Sequence, residues 1–148
     1  MNDAEALKKI AGEAACEFVK TGMRVGLGTG STVKYTVLDL GRRIAEEGLE
    51  IVGVPTSVAP ENLATKVGIP LGELGSLDGL DIVIDGTDEF DPSFHLIKGG
   101  GAALLREKIV AQQSAAMVVG ADHRKQVDGL GAFGIPLELE RRKRLLRR

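Results

Sequence analysis

Apolar positions along the chain fall into two periods. Leu7, Ile10, Ala14, Ala15 and Phe18 recur at helical spacing and predict a helix over residues 3–19, with Gly22 as its stop. Residues 23–27 form a short apolar strand that enters Gly28-Thr29-Gly30-Ser31-Thr32. Val33, Val37, Leu40 and Ile44 share one face of a helix predicted over about residues 31–47. A strand over 50–54, a turn over 55–57 and a third helix over 60–67 follow, closed by Gly68. Residues 80–85 (LDIVID) are a near-continuous apolar run with a polar end, the pattern of a buried parallel strand at its carboxyl terminus. Residues 86–101 predict a loop, 102–112 a helix, 115–120 an apolar strand, 121–131 a loop and 135–139 one more strand. Strands alternating with helices predict an α/β fold, an open and mostly parallel sheet flanked by helices.

Composition narrows this picture. At 43% hydrophobic and 27% charged residues, the chain has the makings of a folded core and not of a disordered segment. Its 20 glycines and 3% aromatics point to tight turns and close backbone approaches, not to an aromatic binding face. The net charge of −2 conceals an asymmetry, because residues 141–148 carry six bases and no acid. Without them 13 bases face 21 acids, a balance of −8, which argues against nucleic acid as a partner. We therefore expect a sheet domain over residues 1–139 and a basic tail over 140–148. Cys16 alone makes no intrachain disulfide, in keeping with a cytoplasmic setting, and its apolar surroundings predict a packed thiol. The first residues carry no secretory-signal pattern, and no apolar run reaches membrane-spanning length, so no membrane partner is expected.

Three constellations carry candidate chemistry. In the first, Thr29, Gly30, Ser31 and Thr32 lie between a strand and a helix, where backbone N–H groups and hydroxyls meet an anion. The alternative is that Ser31 or Thr32 only caps the helix. The second is Asp85-Gly86-Thr87-Asp88 at the end of the most apolar strand, where open parallel sheets bind ligands. Two crowded carboxylates there suit proton transfer, although a capped turn uses the same residue types. The third is Lys98-Gly99-Gly100-Gly101 followed by a helix bearing Glu107. A lysine there meets a phosphate or a developing oxyanion, and a glutamate in a dry pocket acts as a base near neutral pH. The rival reading of Glu107 is a surface residue paired with Lys108 or Arg106. Lys125, His123 and Arg124 read by default as solvated, and the carboxylate spacing matches no metal loop.

GLGTGST, DIVIDGTDEFDP and LIKGGGAALLREKIVA, in this order, resemble the type A ribose-5-phosphate isomerase family. The resemblance covers residues 1 to about 139. It implies a Rossmann-like sheet shared with glucosamine-6-phosphate deaminases and CoA transferases. It also implies interconversion of D-ribose 5-phosphate and D-ribulose 5-phosphate through an enediolate, with no metal and no cofactor, in a homodimer or homotetramer. Carried over residue by residue, Glu107 is the general base, Asp85 is linked with ring opening, and Asp88 lies near the sugar hydroxyls. Lys98 stabilises the oxygen charge. Thr29 to Thr32, Gly86, Thr87 and the glycines at 99, 100 and 101 line the substrate. Lys125 is a further binding lysine, and Lys8 reaches toward the phosphate, with Lys9 an alternative to Lys8. Thr87 departs from the family's alanine, and the family's second α+β subdomain is not matched. A non-catalytic sugar-phosphate sensor and an inactive shortened isomerase are the competing expectations.

Overall fold

The structure, a computed structural model, describes residues 3–139. The basic tail expected over residues 140–148 lies outside the described residues.

Four strands form the main sheet: β1 (Arg24–Leu27), β2 (Val52–Pro55), β3 (Ile82–Asp85) and β6 (Met117–Val119). All pair in parallel, in the order β2-β1-β3-β6. Parallel neighbours need crossovers, and helices supply them: α2 (Val33–Glu47) between β1 and β2, and α4 (Leu104–Gln112) between β3 and β6. From β1 the chain moves outward to β2, then returns across β1 to β3, so the strand order reverses between β1 and β3. A crevice opens at the carboxyl ends of two strands that diverge in this way. The glycine-threonine loop and the Asp-Gly-Thr-Asp turn leave from those two ends.

Helices α1 (Asp3–Ala15), α2 and α3 (Val58–Lys66) share the larger core, which gathers Cys16, Val19, Leu27, Val37, Leu40 and Ile84. The other face holds a smaller core of Val54, Leu80, Val83 and Val110. There Gly26 of β1 lets α4 approach, because a Cβ on it would lie 2.7 Å from both Val110 Cγ1 and Val83 Cγ2. Cys16 is buried, and burial pushes its thiol up to about 12, consistent with a packed, inert group.

Several expectations need correction. The first helix gives way at residue 15 to a 3₁₀ turn, Cys16–Phe18, and Gly22 at φ +90° turns the chain into β1. Its inward face is Gly12, Ala15, Cys16 and Val19, whereas Ile10 and Phe18 are exposed. The segment expected as a loop at 86–101 contains a small antiparallel hairpin, β4 (Glu89–Phe90) and β5 (Leu96–Ile97). The strand expected at 135–139 does not form. Ile135, Leu137 and Leu139 are 79%, 86% and 93% exposed, and the segment pairs with no strand among the described residues. Alternation alone does not make a strand without a partner for its backbone groups. The segment is tethered through carboxylates instead. Glu89 accepts hydrogen bonds from the N–H groups of Gly131 and Phe133, and Glu138 accepts one from Leu105 N at the start of α4.

Candidate active site

At the mouth of the crevice, β1 leads into Gly28, whose N–H bonds to Ile84 O at 2.9 Å. A Cβ on Gly28 would sit 2.2 Å from Asp85 Oδ1, so only glycine lets the loop pass beside that carboxylate. Asp85 Oδ1 accepts from Gly86 N at 2.8 Å and Thr29 N at 3.2 Å. Its Oδ2 faces Lys98 Nζ at 3.0 Å. Asp85 is 1% exposed and lies beneath the cavity, not in its wall.

Lys98 extends from the end of β5. Its ammonium donates to Gly86 O, pairs with Asp85, and stands 3.5 Å from Glu107 Oε2. That last contact is an ion pair without a hydrogen bond, and Glu107 Oε2 is buried with no hydrogen-bond partner among the described residues. Glu107 is 4% exposed because of where it stands on α4. Ala103, Glu107 and Val110 form the helix's buried stripe at i, i+4 and i+7. The apolar Leu105 and Ile109, by contrast, are 38% and 44% exposed. Burial pushes the Glu107 carboxyl above its ordinary value. Asp85 and, more weakly, Asp88 push the same way, while Lys98 pulls it back. The surface reading of Glu107 is thereby excluded.

A cavity of about 420 Å³ opens over this group. Glu107, Lys98, Asp88, Gly86, Thr87 and Gly99 form its inner part, with Gly101 beside them. Gly100 does not line it. Its N–H donates to Asp88 Oδ2 at 2.8 Å, and a Cβ there would lie 2.6 Å from both Asp88 Oδ1 and Phe133 Cζ. Within the glycine run, Gly100 therefore serves the close approach of the chain to Asp88. Thr87 lies with its hydroxyl 2.7 Å from Glu89 O and 2.8 Å from Ile97 O, which ties the turn to the β4–β5 hairpin. In this chain the larger side chain has local partners.

Hydroxyls and cations line the rest of the cavity. Thr29, Gly30, Ser31 and Thr32 line it at the start of α2. Thr32 is the N-cap residue of that helix and makes no side-chain capping bond. Lys8 lines the cavity and holds Glu5 at 3.0 Å, whereas Lys9 pairs outside it with Glu13 at 3.6 Å. Lys125 lines it too.

Some participants were not foreseen. Arg124, taken by default as solvated, belongs to the cavity wall. The Thr29 hydroxyl lies 2.8 Å from Thr56 Oγ1 and 2.7 Å from Ser57 Oγ, at the carboxyl end of β2. The strand-end rule that singled out the other loops applies equally to this pair. His95 is exposed and paired with Asp91, away from the cavity. Among the described residues no group of His, Cys, Asp and Glu is arranged to hold a metal ion.

Comparison with known proteins adds independent findings. The sequence pattern of the family described as Ribose 5-phosphate isomerase A (phosphoriboisomerase A) matches residues 52–145. Ribose-5-phosphate isomerase A of Nitrobacter hamburgensis is 56% identical over 135 residues, which is 91% of this chain and 58% of that protein. The solved ribose 5-phosphate isomerase A of Methanocaldococcus jannaschii superposes with a TM-score of 0.84 at 43% identity, covering 88% of this chain and 58% of the other. A D-ribose-5-phosphate isomerase solved in complex with phospho-erythronic acid gives a TM-score of 0.83 at 44% identity, covering 85% and 56%. The chain thus spans somewhat over half the length of the relatives it matches.

Proposed function

The chain belongs to the ribose 5-phosphate isomerase A family, and from that premise we propose that it interconverts D-ribose 5-phosphate and D-ribulose 5-phosphate. The observation that carries the proposal is Glu107, a buried carboxylate whose Oε2 has no hydrogen-bond partner among the described residues and which faces a cavity rich in cations. A sensor of sugar phosphates has no use for such a group. An isomerase has one, because a carboxylate that is poorly solvated and raised in pKa is a stronger base toward a carbon acid.

In the proposed reaction the phosphate sits at the outer end, against Lys8, Ser31, Thr32 and Lys125. The open-chain aldose lies along Gly99 and Gly101 with C1 and C2 below Glu107. Glu107 takes the C2 proton. The electrons of that C–H bond form the C1–C2 double bond, and the carbonyl pair moves onto O1. Lys98 faces the developing oxygen charge. Glu107 then returns its proton to C1 while the O2 hydroxyl proton passes to O1, which leaves the ketose. Asp85 acts through Lys98, whose ammonium it holds, and contributes to ring opening from there. Asp88, held by Gly100, meets the sugar hydroxyls. Phospho-erythronic acid, the ligand of one relative, is a four-carbon sugar-acid phosphate, which fits a cavity with one anion-binding end and one end that binds a planar oxyanion. No metal or redox cofactor enters these steps.

We further propose that residues 1–139 act as the sheet domain of a cytoplasmic homo-oligomer, for which the exposed Ile10 and Phe18 supply apolar contact area. The reaction is tested by following ribose 5-phosphate with the purified chain in D2O by NMR. Conversion to ribulose 5-phosphate is expected, with deuterium at C1 in the fraction of turnovers in which the Glu107 proton exchanges with solvent before it is returned, and an unchanged sugar would overturn the proposal.

A further inference from the structure

The loop after β6 brings two cations to the cavity, and only Lys125 was foreseen in a binding role. Arg124 precedes it, and its side chain is set by Asp122. Nε of Arg124 lies 2.7 Å from Asp122 Oδ1 and Nη2 lies 2.7 Å from Oδ2, a two-bond fork. The same Oδ1 accepts from Arg124 N at 3.0 Å. Asp122 is 6% exposed, so the carboxylate that aims the guanidinium is itself fixed. Arg124 Nη1 makes no hydrogen bond among the described residues. Two further contacts locate this loop. A Cβ on Gly120 would touch Thr32 Cγ2 at 3.3 Å, and Glu5, the partner of Lys8, contributes to the electrostatic field at Arg124. Arg124 therefore stands at the same end of the cavity as Thr32 and Lys8.

The charge balance at that end gives Arg124 a task. A phosphomonoester carries about −1.5 to −2 near neutral pH. Lys8 is already paired with Glu5, Lys98 is committed to Asp85 and Glu107, and Arg124 is itself paired with Asp122, so what Arg124 adds is aimed N–H donors and not net charge. Lys125 alone supplies one compact positive charge. An arginine fork held on one side by a carboxylate keeps its remaining N–H groups in a fixed plane for a second anion.

Resting on the isomerase reading of the site, we propose that Arg124, oriented by Asp122, is a further phosphate-binding residue that sets the preference of this cavity for a dianionic phosphate. Asp122 is its positioning residue.

The test measures binding of inorganic phosphate and of ribose 5-phosphate by calorimetry, alongside steady-state kinetics. It uses the full chain, Arg124→Met, Arg124→Lys, Asp122→Asn, and Arg42→Met as a charge control on the exposed face of α2. Arg124→Met is expected to weaken both ligands roughly tenfold or more, with KM rising by more than kcat falls. Arg124→Lys recovers part of the loss, and Asp122→Asn gives an intermediate loss although the arginine remains. Arg42→Met stays within about twofold of the parent. Parent-like binding in Arg124→Met, or equal losses in Arg124→Met and Arg42→Met, would overturn the inference. If the parent binds phosphate through Arg124 yet does not turn over ribose 5-phosphate, the inference stands and the reaction reading fails. If the parent turns over and Arg124→Met keeps its KM, the reverse holds.

Discussion

Glu107 occupies a helix position whose neighbours at i−4 and i+3, Ala103 and Val110, are core residues. That placement accounts for its electrostatics. Burial, then Asp85, raise its pKa, and Lys98 opposes them. A base must be ionised to act, so kcat/KM is expected to rise with pH through the Glu107 pKa, on a limb displaced above the ordinary carboxylate range. Glu107→Gln should abolish that limb. The same shift acts on stability with a definite sign. A group with a raised folded-state pKa binds its proton more tightly in the native state, so its favourable contribution is present below the unfolded value of 4.5 and is lost as pH rises through the folded pKa. Glutamine imitates the protonated form. Glu107→Gln is therefore expected to melt above the parent at pH 8, with the gap closing toward pH 4, and thermal scans across that range decide it. A constant gap would mean that the carboxylate is not electrostatically strained. Glu107, Lys98 and Asp88 were legible because glycine runs and strand ends flagged their surroundings. Arg124 was not, since an arginine in a polar loop looks solvated until Asp122 is seen to aim it.

At the scale of elements, α4 reaches the sheet through the missing side chain of Gly26. Gly26→Ala is expected to cost about 1–3 kcal/mol by overpacking, and to lower kcat by pushing Glu107 outward, with denaturant melts and turnover as the measurements. Thr87→Ala should cost about 1 kcal/mol through the lost hydroxyl bond to the hairpin and keep most of the activity. The four main strands and four helices followed from apolar runs and helical spacing, with ends shifted by a few residues. The hairpin of Glu89–Phe90 and Leu96–Ile97 was hidden, because two residues per strand are too few for alternation to register. The converse failure occurred at Ile135, Leu137 and Leu139, which alternate cleanly but meet no partner strand.

At the scale of the whole molecule, the strand reversal between β1 and β3 brings residues 28–32, 85–88, 98–107 and 120–125 to one mouth. This convergence was legible only as far as strand-end loops cluster in parallel sheets. Strand order is a long-range outcome, and the contact between Lys98 and Glu107 depends on how the intervening glycine loop folds back; periodicity encodes neither. No helix among the described residues is long and apolar enough to cross a membrane. Self-association through exposed apolar positions such as Ile10 and Phe18 is expected to give a mass above that of the 15.6 kDa chain in light scattering, and a monomer would contradict it. The central claim is that Glu107 moves a proton between two carbons of a bound sugar phosphate. Its most direct test is turnover of ribose 5-phosphate by Glu107→Gln, at saturating substrate and with binding checked by calorimetry. We predict a loss in kcat of about 10²–10⁴-fold with Kd largely retained. Turnover equal to the parent's would contradict the account.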